Sequence, residues 1–284
     1  MLFYQGSYRT QGFSLLSALL AFFLSIHLAW ADPGFDHSPW GKLLKAHVSE
    51  GWVDYQGSAK DRGELDHYLE RMSAVRKTVL ESWTREDQIA FYLNAYNAIT
   101  VERILDHYPP DGTLFFKKVR SVKTIPGVWD EIKDRVAGED LTLDDIEHEI
   151  LRKRYREPLI HFAIVCASRS CPPLFEEPFE GETLMTQLSQ RAQEFLLDST
   201  RGVLIDLEKN HISLSQIFDW FGEDFIQRYG GGPLSERYGE KLGASLNFVS
   251  LYLPKEQKEF IQAGGYQVEF LPYDWSLNEK APEK

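Results

Sequence analysis

Thr84-Arg-Glu-Asp-Gln-Ile-Ala-Phe-Tyr-Leu-Asn-Ala-Tyr-Asn-Ala-Ile-Thr-Val-Glu-Arg-Ile-Leu105 is the stretch on which the fold turns. Thr84 is a helix-capping residue, and Glu86 and Asp87 put acids against the positive end of the helix dipole. From residue 89 onward, apolar residues fall on nearly every face. A helix with no polar side has nothing to give to solvent, so it belongs at the centre of a domain. Pro109-Pro110 ends it. Asn94 and Asn97 are three apart and share a face, with Tyr96 between them. Asn is a poor helix former, and a buried amide must find partners. Two readings are open. The amides bond to the backbone of a neighbouring loop, or they orient a catalytic group or a substrate amide.

Working outward, helices are expected over 38–46, with Pro39 in the first turn, and over 61–75, where Leu65, Tyr68, Leu69 and Met72 recur at helical spacing. Thr142-Leu-Asp-Asp145 resembles a capping box and opens a helix to about residue 154. Further helices are expected over 181–197, 215–221, 224–229, 234–242 and 245–252. Residues 52–55 and 115–125 read as extended. Residues 127–140 read as a turn-rich hairpin, 158–165 as a buried strand, 203–207 and 211–214 as a hairpin, and 267–271 as a late strand. Strands are few and do not alternate regularly with helices. The fold class is therefore α+β: a helix-rich single domain with a small, mostly antiparallel sheet.

The N-terminus reads as a signal peptide over 1–31. Arg9 precedes an apolar run over 15–28, and Ala29-Trp-Ala31 is a small-x-small cleavage signal. That run is short for a membrane span, so no stable membrane anchor is expected. The product would be a periplasmic or secreted domain over 32–284. The whole chain carries a net charge of −12, and losing Arg9 makes the remainder one unit more negative. So acidic a chain has little attraction for nucleic acid. The expected partner is an envelope peptide or small molecule.

Chemistry concentrates in His161-Phe-Ala-Ile-Val-Cys-Ala-Ser-Arg-Ser-Cys-Pro172, which holds both cysteines of the chain. In an exported protein, Cys166 and Cys171 read first as a disulfide that shapes a tight loop. If reduced, either could be a nucleophile with His161 as base. On an extended strand, five residues span about 17 Å and point opposite ways, which opposes a direct His161–Cys166 pair. Asn94 or Asn97 could face His161 instead. Ser168 and Arg169 are candidate substrate contacts, and Asp274 is a candidate partner for His161, equally well read as a turn cap. No metal or cofactor motif is present: His148 lacks a second histidine four residues on, where Arg152 stands, and Gly230-Gly-Gly-Pro233 opens no nucleotide fingerprint.

Four blocks, Phe91-Tyr-Leu-Asn-Ala-Tyr-Asn-Ala98, Leu141-Thr-Leu-Asp-Asp-Ile-Glu-His148, residues 161–174 and Tyr273-Asp-Trp-Ser-Leu-Asn278, resemble the signature of the family called domain of unknown function 547. The resemblance spans about 85–278. Glu157-Pro-Leu159 departs from an expected Asp-Pro-Arg and removes a cation before His161. The resemblance implies no assigned reaction. A helix followed by a strand that begins with histidine is similar to the papain and transglutaminase layout, although this helix carries no cysteine. The function expected from these residues is a hydrolase or acyl transferase of that type, acting on an amide or peptide bond. The alternatives are a non-catalytic ligand- or peptide-binding module and, more weakly, a thiol redox protein.

Overall fold

The central helix runs Arg85–Asp106, and Thr84 Oγ1 accepts the Asp87 N–H at 3.1 Å, the cap its sequence calls for. In the computed structural model, the described residues are Met1, Leu2, Gly6, 34–108 and 120–280. The signal segment lies almost wholly outside them, as do residues 115–119 of the expected extended stretch. The described residues from 34 to 280 cluster as one compact unit. Against the central helix pack Arg62–Ala74, which buries Leu65, Tyr68 and Met72, and Leu184–Leu197, while Ser38–His47 packs on Arg62–Ala74.

The two asparagines turn out to be structural. Asn97 Nδ2 donates to Ala163 C=O at 2.9 Å, and its Oδ1 accepts Val165 N–H at 2.9 Å. Asn94 does the same to one residue, donating to Phe179 C=O at 2.8 Å and accepting Phe179 N–H at 3.0 Å. Gln187, from Leu184–Leu197, grips the other side of that segment, bonding Pro178 C=O and Glu180 N–H at 2.9 Å each. Each amide offers one donor and one acceptor side by side, as a strand edge does. Buried irregular backbone is thereby satisfied without a sheet.

This corrects the expected strand over 158–165. Pro158–Phe162 is a 3₁₀ turn, with the Glu157 side chain accepting Leu159 N–H and Pro158 starting it. Near-continuous apolarity marks burial in either conformation, so the pattern could not separate strand from turn. The strand of a papain-type layout is therefore not where His161 sits. Residues 120–125 are also not extended; they hold a 3₁₀ turn at Val122–Thr124.

The capping box at Thr142 forms reciprocally. Thr142 Oγ1 accepts Asp145 N–H, and Asp145 Oδ2 accepts Thr142 N–H, both at 3.0 Å. The helix it opens, Asp145–Tyr155, is wound as a π-helix, a form that favours functional sites. Asp134–Val136 and Glu139–Leu141 pair as the expected hairpin, turning through Ala137 and Gly138, both at positive φ. Val203–Asp206 pairs antiparallel with His211–Leu214, and Gln267–Phe270 adds to the latter in parallel. The helix Lys255–Ala263, which the sequence reading did not assign, connects to that last strand.

Removing the Asn97 amide leaves Ala163 C=O and Val165 N–H buried and unpaired, at roughly 1–3 kcal/mol each. Asn97→Ala is expected to lose about 2–5 kcal/mol of stability in urea unfolding. Asn97→Asp keeps the acceptor but sets a buried carboxylate oxygen against Ala163 C=O, and should lose at least as much at neutral pH. A loss below about 1 kcal/mol in Asn97→Ala would show that the backbone has another partner.

Candidate active site

Three elements supply much of the wall of a cavity of about 200 Å³. The first is the turn carrying His161. The second is the π-helix, which brings Asp144, Glu147 and His148 to the cavity. The third is Gln216–Phe221, capped by Ser215 and supplying Ile217, Trp220 and Phe221. His161 stacks on Phe221, centroids 4.5 Å apart and 12° from parallel. Directly after Phe221, the 3₁₀ turn Gly222–Phe225 presents Asp224 to His161, Oδ2 to Nε2 at 2.7 Å. Arg152 grips the same carboxylate with two nitrogens, at 2.6 and 3.1 Å, and donates to His148 Nδ1 at 3.0 Å. His148 Nε2 lies 3.6 Å from Asp144. Spacing by four puts Asp144, His148 and Arg152 on one side of their helix.

Burial opposes ionisation of Asp224, but the hydrogen bonds from His161 and Arg152 outweigh it and hold this carboxyl down at about 2. Burial lowers the His161 pKa against the pull of Asp224. The ring is therefore neutral at pH 7, donating Nε2–H to Asp224. Its Nδ1 is buried and has no hydrogen-bond partner.

Cys166 and Cys171 also line the cavity. The loop between them is strapped by the C-terminal segment: Arg169 N–H bonds Ser276 C=O, Ser170 N–H bonds Asp274 C=O, and Asn278 N–H bonds Ala167 C=O. The strap also holds Ala167 at φ 60°, an uncommon left-handed conformation for a residue with a Cβ, and brings Tyr273 and Trp275 into the cavity. Both cysteines are free thiols in this structure rather than the expected disulfide. Cys171 beside it lowers the Cys166 pKa against the effect of burial, while Cys166 N–H donates to Cys171 Sγ at 2.9 Å and the Cys171 thiol to Ile164 C=O at 3.8 Å. Ser168 Oγ at 3.1 Å and Tyr273 Oη at 3.3 Å lower the Cys166 pKa further. Burial, and then the contact with Cys166 and its charge, push the Cys171 thiol up. Of the two sulfurs, Cys166 is thus the one favoured to ionise.

Glu147 is buried beside them. Burial raises its pKa to about 7, against the hydrogen bond from Tyr96 OH (3.1 Å to Oε2) and the Arg152 charge. Trp129, Trp220, Tyr273 and Trp275 close the cavity as one aromatic cluster, with Tyr273 and Trp275 centroids 4.5 Å apart.

Of the expected site residues, His161, Cys166, Cys171 and Tyr96 meet in this cavity. Ser168 stands behind the Cys166 sulfur. Asn94 and Asn97 bond backbone and do not line this cavity. Arg169 lies over the Trp52 ring at 5.4 Å, away from the cavity. Asp274 does not orient His161: its carboxylate accepts Ser276 N–H and Oγ–H, closing a turn. Asp224 takes the role expected of Asp274. Glu147, Arg152 and Asp224 were not picked out from sequence. The four-residue spacing of Asp144, His148 and Arg152 was a signal for that wall; nothing local marked Asp224. Among the described residues, no group of three His, Cys, Asp or Glu side chains could hold a metal ion.

Residues 80–196 match the family model described as protein of unknown function, DUF547. The matched span includes Glu147, His161 and both cysteines, and ends before Asp224, Tyr273 and Trp275. No curated protein and no solved structure matches the chain.

Glu147 predicts a pH-dependent stability. Its folded pKa, about 7, exceeds its ordinary value of 4.5. The folded state therefore holds the proton more tightly, and its stability falls as pH rises from 4.5 through 7. Glu147→Gln never ionises. It should match wild type in thermal midpoint near pH 4 and exceed it by several degrees at pH 8.5. Equal midpoints at both pH values would mean that the carboxyl is not penalised by burial.

Proposed function

We propose that this protein is a cysteine-dependent hydrolase or acyl transferase, acting outside the cytoplasm on an amide or ester carbonyl of an envelope substrate. Cys166 is the nucleophile. His161, held in one tautomer by Asp224 and locked through Arg152, lines the same cavity as a neutral imidazole that positions the reacting groups. The observation that carries this reading is the Cys166 sulfur: it is surrounded by the hydroxyls of Ser168 and Tyr273 and the Cys171 thiol, in a cavity shared with the His161–Asp224 pair. A thiolate stabilised by donors is the form that attacks carbonyl carbon. The aromatic walls favour a second reading, a binding module that holds an apolar or aromatic ligand without turnover.

Alkylation by iodoacetamide, followed by peptide mass mapping across pH, separates these. Cys166 should react with a midpoint near pH 6, at least ten-fold faster than Cys171. Cys166→Ser should abolish the fast phase. Reaction at Cys166 only above pH 8, or preference for Cys171, would sink the nucleophile assignment. Thiols titratable only after reduction, in protein taken from the export compartment, would favour the disulfide instead.

A further inference from the structure

Resting on the thiol chemistry proposed above, we propose that Glu147 is the proton carrier of the reaction, giving its proton to the leaving group and recovering one from the acceptor. It lies on the π-helix wall of the cavity that Cys166 also lines, 7% exposed. Tyr96 from the central helix donates to Oε2, and Oε1 is 3.9 Å from His148 Nδ1. Among the described residues, no Lys or Arg lies within ion-pair distance of it. Arg152 and Asp144 on its own helix and Cys166 from the loop face it from further off. Cys166 itself faces Cys171, Ser168 and Tyr273.

The cavity needs an acid more than a base. Cys166 is already surrounded by donors. His161 is neutral and has committed its N–H to Asp224, so it offers a lone pair and no spare proton. The Tyr273 hydroxyl sits 3.3 Å from the Cys166 sulfur, and the Cys171 thiol donates to Ile164 C=O. A carboxyl with a pKa of about 7 holds a proton in roughly half the molecules at neutral pH and can both give and take one.

The balance is simple. The Cys166 thiolate attacks the carbonyl carbon, forming C–S and placing an electron pair on oxygen. Collapse breaks the bond to the leaving nitrogen or oxygen, which takes the Glu147 proton. Water then adds to the thioester carbonyl and passes a proton to the Glu147 carboxylate. The C–S bond breaks, and its electron pair returns to sulfur. An amine in place of water completes an acyl transfer. The rate therefore rises as Cys166 ionises and falls as Glu147 does.

The test is single-turnover acetylation by phenyl acetates graded from p-nitrophenyl to p-methylphenyl, read as phenol release and as protein mass, across pH. Glu147→Gln should slow the p-methylphenyl ester more than about 100-fold and the p-nitrophenyl ester far less, because a stable anion leaves without help. It should also erase the alkaline fall. Tyr96→Phe loses a hydrogen bond that favours the ionised carboxyl, so the alkaline fall should move to higher pH, which a merely structural role would not cause. Equal slowing of all esters in Glu147→Gln, or an unmoved alkaline fall in both variants, overturns the assignment to Glu147. If Glu147→Gln fails to fold, the Tyr96→Phe profile decides alone. A wild type that is not acetylated, or a Cys166→Ala variant that releases phenol as fast as wild type, overturns the thiol nucleophile, and Glu147 with it.

Discussion

Asn97 holds the backbone of Ala163 and Val165 with both ends of one amide, and the site geometry depends on that grip. The segment it holds begins immediately after the His161 turn and ends at Cys166. Without a donor and an acceptor at this point, two buried backbone groups would need a neighbouring strand, and the chain would be drawn into a sheet. With the amide, the segment stays irregular, His161 can turn on a 3₁₀ bend, and both it and Cys166 reach one cavity. Asn94 and Gln187 repeat the device on residues 178–180. A helix carrying amides at three-residue spacing thus acts as a short sheet edge, at the cost of the poorer helix propensity of Asn.

Much of the helical architecture was legible because it rests on local signals: the Thr84 cap, the capping box at Thr142 and Asp145, and the apolar spacing of residues 62–74. The hairpins were legible from their turns. What the residues alone could not separate was a buried strand from a buried turn at 158–165, since both want the same apolar side chains. The partner of Asn97 decides between them, and that partner lies across the fold. The winding of Asp145–Tyr155 was likewise invisible, because a π-helix and an α-helix carry the same cap.

The site was half legible. His161, the cysteines and Tyr96 stand within blocks whose composition draws attention. Glu147 was passed over because acids at the start of a helix normally serve its dipole, and only burial against Tyr96 gives this one another character. Asp224 sits in a short acidic turn with no marking of its own; its meaning comes from Arg152 and His161, which are distant in sequence. Asp274 was a reasonable rival on composition and fails on geometry, since Ser276 occupies its carboxylate.

Two proton systems share one cavity without merging, and burial sets them apart. Along one wall, Asp144, His148, Arg152, Asp224 and His161 form a chain in which a guanidinium neutralises the carboxylate it grips, so Asp224 stays ionised even while half-buried. On the same helix as Arg152, Glu147 is hydrogen-bonded by a neutral phenol and paired with no arginine or lysine, so burial dominates and its pKa rises to about 7. Two carboxyls are pushed in opposite directions by the presence or absence of strong donors, His161 and the Arg152 fork at Asp224 and a lone phenol at Glu147. If Arg152 released Asp224, that carboxyl would drift toward the behaviour of Glu147 and His161 would lose its fixed tautomer. The arginine therefore belongs to the machinery of the cavity even though it does not line it.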